Sequence, residues 1–261
     1  MMLENKKAIV TGGASGIGEQ IVRLFHAQGA AVVIADINRE AGSKLAEELG
    51  ERAFCVAVDL SEPEDIKRMI HESMEALGGL DILINNAGFG TYGRTHLGDP
   101  AVWSKIIDVN LNALFHTCRH ALPHLMKRGG SIINTASISG LAADYGFHAY
   151  AAAKGGVINY TRNLAVDYAT DNIRVNCVSP GLIDTPLTTP MTGNPEVLGV
   201  FEQNIPMRRP GQPREVANTF LYLASDMSSY VTGQNIVVDG GMTAWNGQPR
   251  YADIFGDVTI P

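Results

Sequence analysis

The sequence has few cysteines and no long apolar run. Its three cysteines, Cys55, Cys118 and Cys177, cannot all pair and lie far apart in apolar surroundings, so we expect buried, reduced thiols and not a disulfide framework. No apolar stretch approaches the ~18 residues that a transmembrane helix needs. The first ten residues, MMLENKKAIV, enter a strand almost at once and leave no room for a signal peptide. These features predict a soluble, cytoplasmic protein.

Positive charge is also scarce. The 261 residues include 20 Lys and Arg against 27 Asp and Glu, which gives a formal net charge of −7. Nucleic acids and anionic membranes favour basic patches, so neither is expected as a partner. No Pro/Ser-rich linker, internal repeat or low-complexity segment divides the chain. We expect one domain over residues 1–241 followed by a tail, 242–261; two small domains are the alternative that the length allows.

Short β-branched runs alternate with helical patterns along the chain. Their nearly continuous apolar character predicts strands of a parallel sheet covered on both faces, that is, a single-domain, Rossmann-like, doubly wound α/β fold. Helices are predicted from Gly16 to Gln28, from the capping-box spacing SEPE at Ser61, and from Pro213. About seven strands are predicted, in KKAIVTG, AAVVIAD, AFCVAVDL, LDILINNAG, GSIINTAS, IRVNCVSPG and NIVVDGG.

A glycine-rich turn, TGGASGIG from Thr11 to Gly18, joins the first strand to the first helix. Such a turn lets the backbone approach a diphosphate at the positively polarised helix N-terminus, although the glycines alone also fit a tight turn without a ligand. Asp36 ends the second strand, where an acid accepts hydrogen bonds from ribose hydroxyls and repels a 2′-phosphate. Since Arg39 is the one cation near it in sequence, Asp36 predicts NAD(H) and not NADP(H) as the cofactor.

The segment SISGLAADYGFHAYAAAK places a tyrosine four residues before a lysine. Residues four apart share a helix face, so Tyr150 and Lys154 are expected to point into one cleft. An ammonium about 4 Å from the phenol supplies ~4 kcal/mol, enough to lower a tyrosine pKa by about three units. We therefore predict that Tyr150 exchanges a proton with an alcohol or ketone whose oxygen Ser137 holds. Ser139 competes for the serine role, and a surface pair beside a turn serine is the structural alternative.

These motifs occur in the order and approximate spacing of the short-chain dehydrogenase/reductase family, which the chain resembles from about Lys6 to Gly241. The residues that carry the resemblance are TGGASGIG, Asp59-Leu60, NNAG at Asn85 to Gly88, Asn110, Ser137, YAAAK and Pro180-Gly181. The resemblance implies an oxidoreductase that interconverts a secondary alcohol and its ketone. It also implies a homotetramer or homodimer, a water relay supported by Asn110 behind Lys154, and the catalytic set Asn110, Ser137, Tyr150 and Lys154.

With the glycine turn and Asp36, the resemblance gives an expected set of cofactor contacts: Gly12, Ser15, Gly16, Ile17, Gly18, Asp36, Ile37, Asp59, Leu60, Asn86, Ala87, Gly88, Tyr150, Lys154, Pro180, Gly181, Ile183 and Thr185. The expected substrate contacts are mixed apolar and aromatic, which suits a small or medium uncharged molecule: Ser137, Ser139, Leu141, Tyr145, Phe147, Tyr150, Leu182 and Leu187.

Three further segments carry predictions. Residues 182–212 contain five prolines and little periodicity, which is typical of a lid. In the tail, Trp245, Tyr251 and Phe255 predict docking on the body or on a neighbouring subunit. His116, His120 and His124 share one helix face. A zinc site there would lack a fourth ligand because Cys118 points the other way, so no metal is predicted.

Within the family, three segments are most similar to 2,3-butanediol (acetoin) dehydrogenases and to NAD-linked diol and cyclic-alcohol enzymes: HALPHLMKRGGSIINTASISGL, NCVSPGLIDTPL and VDGGMTAWNGQPR. A 3-oxoacyl carrier-protein reductase is the alternative enzyme, which Asp36 and the acidic balance disfavour. A catalytically idle NAD-binding sensor or scaffold is the alternative of another class, which the presence of the serine, tyrosine and lysine disfavours.

Overall fold

Seven β-branched segments form one parallel sheet in the order β3-β2-β1-β4-β5-β6-β7. The computed structural model describes residues 1–256. All seven predicted strands and the doubly wound topology are confirmed. The strand order reverses at β1, which lies between β2 and β4: Ala8 of β1 pairs with Val32 of β2 on one side and with Ile82 of β4 on the other. The strands are β1 Lys7–Thr11, β2 Ala31–Asp36, β3 Ala53–Ala57, β4 Ile82–Asn85, β5 Gly130–Thr135, β6 Ile173–Pro180 and β7 Asn235–Val238.

Helices cover both faces of the sheet. One face packs against α3, α5 and α6, and the other against α1, α2 and α9. No helix within residues 1–256 is long and apolar enough to cross a membrane. The helices are α1 Gly16–Ala27, α2 Arg39–Leu49, α3 Pro63–Leu77, α4 Pro100–Ile107, α5 Ala113–Leu125, α6 His148–Asp167, α7 Thr189–Thr192, α8 Pro195–Asn204, α9 Pro213–Ala224 and α10 Tyr251–Phe255.

The two cores explain why the strands are apolar at nearly every position. Ile9 and Val33 face the core under α3, α5 and α6, whereas Val10 and Ile34 face the core under α1, α2 and α9. All four side chains are fully buried. Because successive strand residues point to opposite faces, both faces need apolar side chains when both are covered.

The start of α3 differs from the predicted capping box. The helix begins at Pro63 with Glu62 in the N-cap position. The hydroxyl and the backbone N–H of Ser61 instead donate to Asp59 Oδ1, at 2.7 and 2.9 Å. Ser61 therefore fixes the Asp59 carboxylate after β3, and the hydrogen bond from the Ser61 hydroxyl lowers the pKa of Asp59. Helix α9 does begin at Pro213, as predicted.

The predicted lid segment, 182–212, contains α7 and α8 and is joined at its base. Asp184 N–H donates to the Gly211 carbonyl, and Gly211 N–H donates to the Leu182 carbonyl, each at 2.9 Å. These bonds form an isolated parallel bridge between Ile183 and Gly211. The helices between them thus extend from a fixed base.

Part of the predicted tail contacts the body of the chain. Arg208, just after α8, forms a 3.2 Å ion pair with Asp253 of α10. The rings of Tyr251 and Phe255 stack on each other at 6.3 Å, and both side chains are more than half exposed, at 59% and 53%. Residues 257–261 of the predicted tail lie outside the described residues. Docking of the tail aromatics on a neighbouring subunit stays a prediction.

A buried polar network joins the central strands to α5 and α6. The Asn85 amide of β4 donates to Asn134 Oδ1 of β5, and the Asn134 amide donates to the Thr161 hydroxyl of α6, both at 2.9 Å. On the other side, the Thr117 hydroxyl of α5 donates to Asn85 Oδ1 at 2.7 Å. All four side chains are buried. The network therefore fixes α6 against the ends of β4 and β5.

We expect Thr161→Val to lower the free energy of unfolding by about 1–3 kcal/mol, because the buried Asn134 amide loses its acceptor. Urea denaturation of the purified protein measures this change. Ser73→Ala is the matched control: the Ser73 hydroxyl is equally buried but donates only to Met69 of its own helix, to the carbonyl and the sulfur, so its removal leaves no donor without a partner. Equal stability of the Thr161→Val variant and the unmodified protein would contradict the prediction.

Candidate active site

A cleft of about 580 Å³ opens at the carboxyl ends of the strands, next to the reversal of strand order between β1 and β4. This is the position at which doubly wound sheets bind ligands. Residues from distant parts of the chain converge there. Those that the sequence predicted are Gly12, Ser15, Gly16, Ile17, Asp36, Ile37, Asp59, Leu60, Asn86, Ala87, Gly88, Ser137, Tyr150, Lys154, Pro180, Gly181, Ile183, Thr185 and Leu187.

The glycine turn forms the floor of the cleft under the N-terminus of α1. Gly12 has φ +61°, and a Cβ there would lie 2.9 Å from the Ala87 Cα. Gly18, a predicted cofactor contact, does not line the cleft. A Cβ on Gly18 would lie 1.9 Å from the Gly12 carbonyl oxygen. Gly18 therefore lies behind the lining of the cleft, where its lack of a side chain lets α1 pack directly against the turn.

Asp36 is held at one end of the cleft by the backbone. Its Oδ2 accepts a hydrogen bond from Ala14 N–H in the glycine turn, at 3.0 Å, and its Oδ1 accepts one from Asn38 N–H, at 2.9 Å. The neighbouring Ile37 side chain lines the cleft and is 71% exposed. An acceptor-only group and an apolar surface therefore lie side by side at this end.

A second cation lies near this end of the cleft besides the Arg39 considered from the sequence. Lys105 of α4 lines the cleft, and its charge is one of the causes that lower the pKa of Asp59, after the hydrogen bonds from Ser61. Lys105 is distant in sequence from both Asp36 and Asp59, and no local motif marks it. Only the packing of α4 across the crevice shows its position.

The serine, tyrosine and lysine come together at the other end of the cleft. Tyr150 and Lys154 lie on the same face of α6, with the Lys154 Nζ 5.5 Å from the centre of the Tyr150 ring. The Ser137 hydroxyl and the Tyr150 phenol both line this end of the cleft. A Cβ on Gly140 would lie 2.6 Å from the Lys154 backbone. The glycine therefore lets the turn after Ser137 pack tightly on α6.

Lys154 is fixed on the side away from solvent. Its side chain is 3% exposed, and its ammonium donates to the Thr135 carbonyl at the end of β5, at 2.7 Å. Burial lowers the pKa of Lys154 to about 8. The ammonium therefore loses its proton more readily here than in water.

The predicted lowering of the Tyr150 pKa is not found in this structure. Burial raises the pKa of Tyr150, the hydrogen bond with Ser137 opposes that rise, and the charge of Asp144 adds to it. The attraction between phenolate and ammonium is outweighed by the unfavourable transfer of both groups out of water, which acts on Lys154 as well.

Asn110 lies behind Lys154, as expected. It belongs to a π-helical turn, Asp108–Asn112, between α4 and α5. Its amide donates to the Phe89 and Ile106 carbonyls at 2.8 and 2.9 Å, while its buried Oδ1 finds no donor in the described chain. A cavity of about 10 Å³, to whose lining Asn110 and Lys154 contribute polar groups, adjoins it, and this is close to the room that one water needs.

The predicted substrate residues separate into two groups. Ser137, Tyr150 and Leu187 line the cleft, whereas the other five do not. Leu182 is buried in the body, Leu141 and Tyr145 are exposed to solvent, and the Ser139 hydroxyl donates to Asp144 at 2.8 Å. The Phe147 ring stands edge-on to Tyr150 at 6.5 Å and supports it from the side. The five that do not line the cleft are Ser139, Leu141, Tyr145, Phe147 and Leu182.

Several lining residues were missed from the sequence. Most adjoin predicted residues at strand ends or after β6, so extending each motif by one or two positions would have found them. Val109 adjoins the predicted Asn110, whereas Lys105, on the helix across the crevice, has no such signal. The missed residues are Ala35, Val58, Phe89, Lys105, Val109, Thr135, Ala136, Pro186 and Thr188.

The histidine face shows no metal-site geometry. In the part of the chain that the structure describes, no group of three or more His, Cys, Asp or Glu side chains is placed to hold a metal ion. His116, His120 and His124 are partly exposed on α5, and Cys118 is buried in the core. Burial lowers the pKa of His120 and of His124.

Comparisons with known proteins agree with this geometry. A family model described as enoyl-(acyl carrier protein) reductase matches residues 12–243. The chain is 42% identical over 252 residues to meso-2,3-butanediol dehydrogenase of Serratia marcescens, and this alignment covers 96% of this chain and 99% of that protein. It is also 42% identical over 246 residues to a 3-oxoacyl-[acyl-carrier-protein] reductase of Chlamydia pneumoniae, covering 92% and 98%.

Solved structures of similar proteins have the same fold. A short-chain type dehydrogenase/reductase from Mycobacterium marinum superposes with a TM-score of 0.88 at 34% identity, over 93% of this chain and 97% of that one. The chain belongs to the short-chain dehydrogenase/reductase family and is an oxidoreductase. The names of its relatives include both diol and acyl carrier-protein substrates, so they do not define the substrate.

We expect Lys154→Met to change how stability depends on pH. The pKa of Lys154 is about 8 in the folded chain and ~10.4 in an unfolded one, so the unfolded chain binds the proton more tightly. The resulting destabilisation is complete below pH 8 and disappears as the pH rises from about 8 to about 10.5. Over this window the unmodified protein should gain about 3 kcal/mol relative to the variant.

Urea denaturation of both proteins at several pH values between 7 and 10.5 measures this difference, and the titration of groups distant from Lys154 cancels in it. The hydrogen bond lost with Lys154 adds an offset but no slope. Parallel stability curves would show that the lysine is not perturbed.

Proposed function

We propose that this protein is an NAD(H)-dependent oxidoreductase that interconverts a secondary alcohol of the diol or cyclic-alcohol class and its ketone. The observation that carries the proposal is the convergence of Ser137, Tyr150 and Lys154 at one end of a cleft whose other end contains Asp36. The first three residues supply proton transfer and orientation, and the acid supplies cofactor selection. The butanediol dehydrogenase among the relatives supports the substrate class.

The residues present fit a dinucleotide. The tight approach of Gly12 to Ala87 leaves the backbone of the turn bare beside the N-terminus of α1, which suits a diphosphate. Asp36, fixed by Ala14 N–H, offers its carboxylate to ribose hydroxyls. Ile37, Asp59 and Leu60 would surround the adenine. The path to the nicotinamide would be lined by the residues from Asn86 to Gly88 and by Pro180, Gly181, Ile183 and Thr185. When bound, the cofactor carries the hydride.

Tyr150 is the proposed acid and base. In the reduction, its hydroxyl donates a proton to the ketone oxygen, and the raised pKa of the buried phenol keeps that proton in place until then. In the oxidation, the phenol must first lose its proton. The charge of Lys154 favours this loss, and the oxidised nicotinamide ring, when bound, would add positive charge. The Ser137 hydroxyl holds the substrate oxygen next to the phenol. The acceptor Asn110 Oδ1 and its small cavity suit a water that passes protons to Lys154.

The proposal also covers the assembly of subunits and the role of the lid segment. Phe115 on α5 and Val166 on α6 are 46% and 78% exposed, which supports a homotetramer or homodimer formed through these two helices. The segment 182–212 would close over the substrate from its fixed base, and Leu187 on it already lines the cleft.

A 3-oxoacyl carrier-protein reductase is the second candidate, because the family model's description and one of the relatives name acyl carrier proteins. Asp36 and the net charge of −7 count against it. A catalytically idle NAD-binding scaffold is the candidate of another class. A scaffold role does not explain why a buried lysine lies beside a tyrosine and a serine in a cleft.

A substrate screen tests the proposal. With NAD+ and a panel of diols, cyclic alcohols, hydroxysteroids and hydroxyacyl thioesters, absorbance at 340 nm should rise with diols or cyclic alcohols. The Michaelis constant for NADP+ should exceed that for NAD+ at least about tenfold, because Asp36 repels the 2′-phosphate. Activity confined to thioesters would favour the reductase, and no activity with any substrate would favour the scaffold.

The Tyr150→Phe variant tests the role of the phenol. Turnover should fall at least about 100-fold, because the proton donor is lost, while the dissociation constant for NADH, measured by fluorescence titration, should change less than about twofold. Tyr145→Phe removes the same hydroxyl from a side chain that is 96% exposed and should keep full turnover. Near-normal turnover of the Tyr150→Phe variant would remove Tyr150 from the mechanism.

A further inference from the structure

Asp144 places a carboxylate next to the reacting groups, although it does not line the cleft. Its Oδ2 accepts a hydrogen bond from the Ser139 hydroxyl at 2.8 Å. The Ser139 N–H in turn donates to the Ser137 Oγ at 3.1 Å, and Ser137 lines the cleft together with Tyr150. Two hydrogen bonds therefore connect Asp144 to the group that would hold the substrate oxygen.

The negative charge of Asp144 is not neutralised locally. Within residues 1–256 the carboxylate takes part in no ion pair, and Ser139 is the one side chain there that donates to it. The ammonium of Lys154 is directed away from solvent, to the Thr135 carbonyl. Asp144 itself is exposed, just before α6. Its field therefore extends over the solvent-facing side of Ser137 and Tyr150, and it contributes to the raised pKa of the phenol.

We propose that Asp144 is a specificity-determining residue that selects neutral or cationic secondary alcohols over anionic hydroxy acids. This inference rests on the proposed oxidoreductase function and deepens it. A hydroxy acid whose alcohol oxygen is held by Ser137 would bring its own carboxylate close to Asp144, where the two charges repel each other. A neutral diol meets no such repulsion.

The expected size of the effect follows from Coulomb's law. Two unit charges about 7 Å apart, at an effective dielectric near 40, change a rate or binding constant about five- to tenfold. Because Asp144 is exposed to solvent, added salt should screen most of this effect. The salt dependence distinguishes a charge effect from a change of shape.

The test compares three substrates of similar size: 2,3-butanediol, which is neutral, 3-hydroxybutyrate, which is anionic, and 3-amino-2-butanol, which is cationic. For Asp144→Asn, kcat/KM for 3-hydroxybutyrate relative to butanediol should rise about five- to tenfold at low salt, and the ratio for the amino alcohol should fall. Both changes should shrink toward unity in 0.5 M NaCl. Asp144→Ser removes the same charge with another side chain and should give the same ratios.

Asp171→Asn is the matched control. Asp171 carries the same charge but lies just before β6, at the end of the sheet opposite the cleft, so its removal should leave all ratios within about twofold. Unchanged ratios in both Asp144 variants, with butanediol still oxidised, would overturn this inference and leave the proposed function standing. Failure of the unmodified protein to oxidise any alcohol would overturn the proposed function, and the inference with it.

Discussion

A buried ammonium at the end of the central sheet is the interaction on which the rest of this site depends. Lys154 donates to the carbonyl of Thr135 in a place almost closed to water, where a charged group is unfavourable unless it is well bonded. The lowered pKa of Lys154 reflects this unfavourable burial of its charge. A residue so poorly suited to stability indicates a chemical role, and its neighbours Ser137, Tyr150 and Asn110 fit that role.

The fold supplies the rigidity that this arrangement needs. Strands with apolar residues on both faces fix the sheet between two helical layers. The polar network through Asn85, Asn134 and Thr161 then attaches α6 to the same strand ends that carry Thr135 and Ser137. The tyrosine and lysine on α6 and the serine after β5 are therefore parts of one rigid body. A displacement of about 1 Å in such groups is enough to slow a reaction substantially.

Much of this could be predicted from the sequence, because the strands and the glycine turn are marked by local patterns. The periodicity located all seven strands, and the spacing of Tyr150 and Lys154 placed both on one helix face. The features that could not be predicted from the sequence depend on tertiary packing. The Tyr150 pKa follows from the desolvation of a fully assembled site, Ser61 bonds to Asp59 instead of capping α3, and Lys105 reaches the cleft from a helix without a local signal.

The bridge between Ile183 and Gly211 has a consequence for how such a protein diversifies. Because both ends of the intervening segment are tied to each other, the part of it that holds α7 and α8 can vary in length and composition without moving Pro180, Gly181 or the strand before them. Lengthening a closed loop adds little entropy penalty, about 0.6 kcal/mol for each doubling. Substrate range can thus evolve by exchanging this insert, while the dinucleotide half of the cleft stays constant.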